Sequence, residues 1–240
     1  MRLTNERKGL PPYGSARRRF NGLAVALAAA VLAGGLSPLT GGGGRAMAAS
    51  DKPIKLLALG DSLTAGYGLP EPQGFTAQLQ KALTAKGYAV TVINAGVSGD
   101  TTAGGLARLD WALADRPDAA IVELGANDML RGLDPGQARA NMDAILKTLA
   151  EKRIPTLVAG MLAAPSLGRA YGERFNAIYP DLAGQYGAAL YPFFLDGVAT
   201  DQTLNQPDGI HPNAKGVSII VERILPHVTR LLDSVNRTGG

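Results

Sequence analysis

The sequence predicts an α/β fold in which a central five-stranded parallel sheet is covered by helices on both faces. Two observations predict it. From residue 54 onward, short apolar runs alternate with longer segments of helical spacing, and the runs are apolar at nearly every position rather than at every second one. Strands of this kind are typical of parallel sheets, because the crossover helices cover both faces of the sheet.

Five apolar runs are the candidate strands. They cover Ile54 to Leu59, Ala89 to Ile93, Ala119 to Leu124, Thr156 to Met161 and Leu190 to Leu195. Each run is five or six residues long, which is the ordinary length of a strand. A sheet of five strands is therefore expected.

The segments between and after these runs have helical spacing. The predicted helices cover Phe75 to Lys86, Thr101 to Ala114, Pro135 to Lys152, Arg174 to Tyr186 and Asn213 to Leu232. Pro135 suits the first turn of its helix, where a missing N–H costs nothing. Pro180 is expected to cap or kink the fourth helix, and Pro226 to bend the last one.

The positive charge of the chain is concentrated in its first 48 residues. Of the 24 Lys and Arg residues, seven precede residue 49 together with one acidic residue, so 17 bases and 19 acids remain and give a formal charge of about −2. No cluster of Lys and Arg follows residue 49, so no nucleic-acid partner is expected. The chain has no cysteine, which excludes disulfides, zinc–thiolate sites and cysteine nucleophiles.

The N-terminal segment has the three parts of an export signal. Arg17 to Arg19 form a positive region, Leu23 to Leu39 are mainly apolar, and Ala46-Met47-Ala48 fits the small-residue rule for cleavage. We expect a cleaved signal peptide over residues 1–48, one domain over 49–240, and a periplasmic or secreted location.

Two alternatives concern this leader. An uncleaved membrane anchor is disfavoured because Gly34, Gly35 and Pro38 interrupt the apolar segment, so no stable membrane insertion is expected after cleavage. The arginine run resembles a twin-arginine signal, although Asn21-Gly22 departs from that motif. The Sec and twin-arginine routes therefore both stay open.

Polar side chains follow four of the predicted strands. The segments are Gly60 to Thr64, Asn94 to Asp100, Gly125 to Asp128, and Pro207 to Pro212. In open parallel sheets, ligands bind beyond the carboxyl ends of the strands. These segments therefore form the candidate site.

Ser62, at the turn between the first strand and the following helix, is the candidate nucleophile, and a serine hydroxyl needs a base to remove its proton. The chain has two histidines. His227 lies among apolar residues of the last helix, which indicates a structural or surface role. His211 lies in a loop three residues after Asp208, so the carboxylate can orient the imidazole and stabilise the imidazolium.

Three groups are candidate donors to an oxyanion: the backbone N–H of Ser62, the backbone N–H of Gly99 and the side-chain amide of Asn127. Taken singly, each residue has a simpler explanation. A serine after a strand often caps a helix, and Asn and Asp-Gly are common in turns. Their combination at one edge of a sheet indicates catalysis.

The four segments, in this order, resemble the blocks of the GDSL or SGNH hydrolase superfamily over residues 54–232. Gly60-Asp61-Ser62-Leu63 matches the first block, Gly99 the second, Asn127 the third, and Asp208 with His211 the fifth. The resemblance implies a three-layer α/β/α sandwich of flavodoxin-like organisation without a metal or cofactor. It also implies a Ser62 nucleophile, an oxyanion hole completed by Gly99 and Asn127, and a His211 base oriented by Asp208.

Within the superfamily the chain looks most similar to bacterial arylesterases and to the periplasmic acyl-CoA thioesterase/lysophospholipase branch. Gly60 to Leu69, Ser98 to Thr102, and Asp208 to Pro212 carry this likeness. It implies small ester substrates: aryl esters, short- to medium-chain acyl esters, lysophospholipids or acyl thioesters. Ala126 stands where thioesterase members often have a second glycine, so a preference for thioesters stays open.

Three other interpretations were weighed against this one. The larger α/β-hydrolase family is disfavoured because Thr64 replaces the last glycine of G-x-S-x-G. A non-catalytic α/β binding protein for nucleotides lacks both G-x-G-x-x-G after the first strand and a Walker lysine motif. Deacetylation of a polysaccharide by the same residues stays open, as do the natural substrate and the oligomeric state. Met129 to Leu133 and Ala163 to Tyr171 follow strands and are expected to flank the acyl pocket; the alternative, that their apolar residues only pack within the domain, stays open.

Overall fold

The computed structural model of the protein describes residues 52–238, with side chains to residue 235. The predicted signal peptide and its cleavage site lie outside these residues. The described strands are β1 (Ile54–Gly60), β2 (Val90–Gly96), β3 (Ala119–Glu123), β4 (Thr156–Ala159) and β5 (Ala189–Tyr191). They form one parallel sheet in the order β2-β1-β3-β4-β5.

Strand β1 lies inside the sheet between β2 and β3. Its last residue, Gly60, is in register with Gly96 of β2 and with Glu123 of β3. The carboxyl ends of three strands therefore lie side by side. Leu56, Leu57 and Leu59 of β1 are fully buried, because helices cover both faces of the sheet.

The described helices are α1 (Ser62–Ala65), α2 (Phe75–Ala85), α3 (Thr102–Ala107), α4 (Leu109–Ala112), α5 (Ala126–Leu130), α6 (Pro135–Glu151), α7 (Arg169–Asn176), α8 (Ile178–Tyr186) and α9 (Ala214–Thr238). Single 3₁₀ turns cover Glu71–Gln73 and Pro165–Leu167. Helices α2 and α9 pack together on one side of the sheet, and α3, α6, α7 and α8 pack on the other. The predicted three-layer α/β/α sandwich is confirmed.

The spacing of apolar residues explains why the longer helices pack where they do. Ala138, Met142, Ile145 and Leu149 recur every three or four residues along α6, so they form one buried stripe. Among the described residues, no helix is both long enough and apolar enough to cross a membrane.

Several predicted elements differ in their bounds. Strand β2 ends at Gly96 instead of Ile93, and β4 ends at Ala159 instead of Met161. Three further differences have a clear physical cause. The helix expected over Thr101 to Ala114 is divided at Arg108 into α3 and α4. The helix expected over Arg174 to Tyr186 begins earlier and is divided at Ala177, while Pro180 lies in the first turn of α8, where its missing N–H breaks no hydrogen bond. Strand β5 ends at Tyr191, because Pro192 has no N–H to continue the ladder.

Candidate active site

Ser62 lies in a tight turn that connects β1 to α1. The Asp61 side chain caps this short helix by accepting a hydrogen bond from the Leu63 N–H at 3.0 Å. The turn needs a glycine at position 60, since a Cβ there would lie 2.0 Å from the Thr64 hydroxyl oxygen. Ser62 is thereby held at the carboxyl end of the sheet, at the first residue of a helix.

A continuous set of hydrogen bonds joins Ser62, His211 and Asp208. His211 Nε2 lies 2.9 Å from Ser62 Oγ, and His211 Nδ1 lies 2.7 Å from Asp208 Oδ2. A carboxylate can only accept hydrogen bonds, so His211 Nδ1 carries a hydrogen and donates it in a hydrogen bond to Asp208. In the neutral ring Nε2 is then free of hydrogen and can accept a hydrogen bond from the Ser62 hydroxyl. The structure therefore brings the predicted nucleophile, base and orienting acid together.

The loop itself fixes the Asp208 carboxylate. Asp208 Oδ1 accepts hydrogen bonds at 3.0 Å from the backbone N–H groups of both Ile210 and His211. Gly209 makes the turn possible with a φ of 73°. Hydrogen bonds from the His211 backbone and ring lower the pKa of Asp208 to about 2. The carboxylate is therefore ionised throughout the neutral range.

Two residues outside the predicted site stabilise the loop from Pro207 to Pro212, called the histidine loop below. Gln206 Nε2 donates to the carbonyls of Tyr67 and Pro212, at 2.8 and 3.0 Å. The Tyr67 ring lies 4.6 Å from the His211 ring, centre to centre. The histidine loop is thus tied to the segment that follows the Ser62 turn.

The other two predicted segments lie beside this turn. Asn127 Nδ2 donates to Asp61 Oδ2 at 3.0 Å and to the Asp100 carbonyl at 2.9 Å. Gly99 has a φ of 86°, and its carbonyl accepts from Arg131 Nη2 at 2.7 Å. The Asn127 amide therefore contacts both the residue before Ser62 and the residue after Gly99.

Arg108 joins the ends of two strands to the Gly99 loop, and nothing in the sequence pattern singled it out. Its guanidinium donates to the carbonyls of Gly60 and Ala95, both at 2.8 Å. Its Nε donates to Asp100 Oδ2 at 2.6 Å. One side chain thus ties together the backbone before Ser62 and the loop that holds Asn127.

Asp128 performs a similar role one residue after Asn127. Its buried carboxylate accepts from both the backbone N–H and the hydroxyl of Thr102, each at 2.7 Å. The start of α3 is thereby fixed to α5. These contacts hold the second and third segments in one arrangement.

The second histidine lies elsewhere. His227 lines a cavity of about 490 Å³ together with Thr156 and Leu190, which stand at or near the beginnings of β4 and β5 rather than at their ends. Burial lowers the pKa of His227 below its ordinary value. His227 is therefore near the opposite edge of the sheet from Ser62.

Exposed apolar side chains are concentrated in the loops of the molecule that follow strands. Among the described residues, seven large apolar side chains are exposed, and six of them lie in segments that follow strands or in the histidine loop. These six, called the apolar rim below, are Tyr67, Val97, Leu130, Leu133, Leu162 and Ile210. Tyr171, in the second expected flank, donates to the Leu133 carbonyl at 3.0 Å and so joins the two expected flanks.

Within residues 52–238, no group of three or more His, Asp and Glu side chains is arranged to hold a metal ion.

The chain is similar to several hydrolases. Esterase TesA of Pseudomonas aeruginosa is 42% identical over 178 residues, which cover 74% of this chain and 89% of the relative. The arylesterase of Vibrio mimicus is 38% identical over 77% of this chain and 93% of its own length. Thioesterase 1/protease 1/lysophospholipase L1 of Escherichia coli is 39% identical over 70% of this chain and 79% of its own length.

The fold is also found in solved structures. A crystal structure of TesA, 41% identical in sequence, superimposes with a TM-score of 0.71 over 74% of this chain and 99% of the other. The profile of the GDSL-like Lipase/Acylhydrolase family matches residues 58–219, which include Ser62, Gly99, Asn127, Asp208 and His211. The chain therefore belongs to the GDSL-like lipase/acylhydrolase family, the SGNH hydrolases, and it is a serine hydrolase of carboxylic esters.

Proposed function

We propose that the protein hydrolyses its ester substrates through an acyl-enzyme on Ser62, with His211 as general base and Asp208 as the residue that orients it. The observation that carries this proposal is the unbroken set of hydrogen bonds from Asp208 Oδ2 through the His211 ring to Ser62 Oγ, 2.7 and 2.9 Å long. Such a set is the arrangement that activates a serine hydroxyl for attack on a carbonyl carbon.

In the acylation step, Ser62 Oγ attacks the ester carbonyl while His211 Nε2 takes the hydroxyl proton. The resulting imidazolium gives this proton to the departing alcohol or phenol, and the ionised Asp208 stabilises the positive ring. Water then attacks the acyl-enzyme with His211 again acting as base. The acid is released, and Ser62 regains its proton.

The developing oxyanion needs hydrogen-bond donors. The backbone N–H of Ser62 is the first of a helix and so has no partner within that helix. The Gly99 N–H and the Asn127 amide complete the oxyanion hole in this proposal. Both hydrogens of Asn127 Nδ2 are directed at protein oxygens, Asp61 Oδ2 and the Asp100 carbonyl, so one of them must be shared with the oxyanion. Asp61 and Asp100 thereby fix the direction in which the amide points.

The substrate class follows from the apolar rim. Exposed apolar side chains beside a nucleophile favour an ester with an apolar acyl or aromatic group. The names of the Pseudomonas and Vibrio relatives, an esterase and an arylesterase, support carboxylic esters and aryl esters as substrates. The name of the Escherichia coli relative extends the proposal to lysophospholipids and acyl thioesters.

The test is hydrolysis of p-nitrophenyl esters of increasing acyl length by the wild type and by Ser62→Ala. We expect Ser62→Ala to lose turnover and to keep the wild-type melting temperature. Ser218→Ala is the matched control, because Ser218 is exposed on α9. Wild-type turnover by Ser62→Ala would refute the nucleophile. Release of acetate from acetylated glycan at a higher kcat/KM than from any p-nitrophenyl ester would replace the substrate class with polysaccharide deacetylation.

We also propose that the chain is exported to the periplasm or beyond, with cleavage after Ala48. The arginine run, the apolar segment and the small residues of Ala46 to Ala48 support this. Mass spectrometry of exported protein is expected to find an N-terminus near Ala49. Recovery of the intact chain from the membrane fraction would refute the cleavage.

A further inference from the structure

A second acidic residue lies directly beneath the Ser62 turn. Glu123 ends β3 in register with Gly60, and its side chain is fully buried. Its Oε2 accepts a hydrogen bond from the Thr64 hydroxyl at 2.8 Å, and the Asp61 N–H lies at 3.5 Å. Among the described residues no donor reaches Glu123 Oε1. In a protein interior, an ionised carboxylate is strongly disfavoured when one of its oxygens accepts no hydrogen bond.

Asp61 is the partner that explains this arrangement. Its carboxyl is also buried, its backbone N lies 3.5 Å from Glu123 Oε2, and the charges of the two carboxyls act on each other. Two carboxyls this close in the interior cannot both be ionised, so the pair holds a proton. Asp61 accepts hydrogen bonds from the Leu63 N–H and from the Asn127 amide, and both favour its ionised form. Glu123 is therefore the member that keeps the proton.

The surrounding charges agree with this assignment. Burial and then the charge of Asp61 raise the pKa of Glu123 well above its ordinary value. Burial raises the pKa of Asp61 only to about 6, and His211, on the side of Asp61 that faces the site, favours its ionised form. Other titratable groups nearby are the Tyr179 phenol, whose pKa burial raises, and Asp128, which is engaged by Thr102. The Arg108 guanidinium also lies close, on the Gly60 carbonyl, and it is paired with Asp100.

We propose that Glu123 is a positioning residue that stays protonated in the working enzyme, where it donates a hydrogen bond to the Asp61 carboxylate and accepts one from the Thr64 hydroxyl. In this arrangement Glu123 is hydrogen-bonded to Asp61, which precedes Ser62, and to Thr64, which follows it in the same turn. It also leaves a single negative charge on Asp61, where that charge orients the Asn127 amide. This inference rests on the proposed roles of Ser62 and Asn127, and Glu123 acts through them without touching substrate.

The experiment compares three variants with the wild type. Glu123→Gln keeps the shape of the protonated acid, with a donor for Asp61 and an acceptor for Thr64. Glu123→Leu keeps most of the volume but neither hydrogen bond. Glu222→Gln, at an exposed position of α9, is the matched control and is expected to resemble the wild type throughout.

We expect Glu123→Leu to displace the Asn127 amide and so to lower kcat about tenfold or more. KM should change little, because the amide stabilises the transition state rather than the bound substrate. Glu123→Gln is expected to restore kcat to within about threefold of the wild type, because a neutral donor is all that the position requires. Wild-type kcat in Glu123→Leu, or a tenfold loss in Glu123→Gln, would overturn the proposal.

The pH dependence of the melting temperature tests the protonation without relying on activity. An acid with a raised pKa takes up a proton on folding, so the wild type loses stability as the pH rises from the ordinary value of 4.5 toward the raised one. Glu123→Gln takes up no proton there, so its melting temperature relative to the wild type should rise with pH from about 5 to 8. A difference that stays constant or falls would overturn the proposal, whatever the role of Ser62.

If Glu123→Leu fails to fold, Asp61→Asn supplies the activity test. In the proposal Asp61 carries the negative charge of the pair because Glu123 keeps the proton, and Asp61→Asn removes that charge. We expect kcat to fall about tenfold or more at unchanged KM. Wild-type kcat in Asp61→Asn would show that this charge does not position Asn127. Loss of turnover in Ser62→Ala together with wild-type kcat in Asp61→Asn would overturn the inference and leave the proposed function standing.

Discussion

Replacing Arg108 with methionine removes the side chain that connects the Ser62 turn to the Gly99 loop. Methionine keeps a flexible apolar stem of similar length, so the packing around the stem is largely preserved. The substitution removes the hydrogen bonds to the carbonyls of Gly60 and Ala95 and leaves the Asp100 carboxylate without its ion-pair partner.

The size of the effect can be worked out from the exposure of the pair. Breaking a buried ion pair costs about 3–5 kcal/mol. The side chains of Arg108 and Asp100 are 17% and 18% exposed, so water replaces part of what is lost. We therefore expect the free energy of unfolding to fall by about 3 kcal/mol, which corresponds to a melting temperature about 6–12 °C lower for a domain of this size.

The assay is urea unfolding of the wild type, Arg108→Met and Arg139→Met. Arg139 pairs with Asp181, but these side chains are 41% and 53% exposed, so Arg139→Met is expected to cost less than about 1 kcal/mol. Turnover of an aryl ester by Arg108→Met should fall about tenfold or more, because the Asp100 carbonyl holds Asn127. Equal losses of stability in the two variants would refute the role of Arg108.

Three further predictions concern the site and the turn that follows β3. Asn127→Ala should lower kcat about a hundredfold with little change in KM, and a rise in KM alone would mean that Asn127 only binds substrate. His211→Gln should abolish turnover and Asp208→Asn lower it by orders of magnitude, whereas His227→Gln should retain it; an inactive His227→Gln beside an active His211→Gln would contradict the proposed base. Gly125→Ala should destabilise the protein by about 2 kcal/mol or more in a thermal melt, because φ is 114° and the added Cβ would lie 2.2 Å from the Tyr179 hydroxyl. Gly132→Ala, with φ at 63° and open space around the Cβ, should cost less, and equal costs would refute the steric argument.

The sequence predicted the grouping of Ser62, Gly99, Asn127, Asp208 and His211 because each follows an apolar run. Apolar runs identify strands, and the ends of parallel strands meet at one edge of the sheet, which is why these segments were expected together. The hydrogen bonds of the structure join Ser62 to His211 and Asp208, and Asn127 to Asp61. Their catalytic roles are proposals that the experiments above test.

Arg108 and Glu123 could not be found in this way. Arg108 lies in a segment of helical spacing and contacts the Gly60 carbonyl 48 residues earlier in the chain, so no local pattern marks it. Glu123 lies inside the predicted strand Ala119 to Leu124, and a single charged residue in an apolar run does not reveal its partners. The described side chain is buried against Thr64 and Asp61.

The bounds of β5 were wrong because apolar character reports burial rather than strand geometry. Phe194 is buried and packs edge-to-face against Phe75 of α2, with ring centres 5.0 Å apart, but it lies beyond the last paired residue of the sheet. Phe194 is therefore a core residue of a turn and not part of the predicted strand. Pro192, within the same run, was the signal that the pairing had to end.

Ser62 and His211 are separated by 149 residues along the chain, although they lie in hydrogen-bonding contact. A ribosome therefore synthesises most of the domain before the base exists, and a fragment that stops before residue 211 carries a serine without its partner. In refolding, helices can form early from local contacts, whereas this contact requires closure of the longest loop in the site. Recovery of turnover should consequently lag behind recovery of helical circular dichroism, which makes activity the stricter measure of a completed native state.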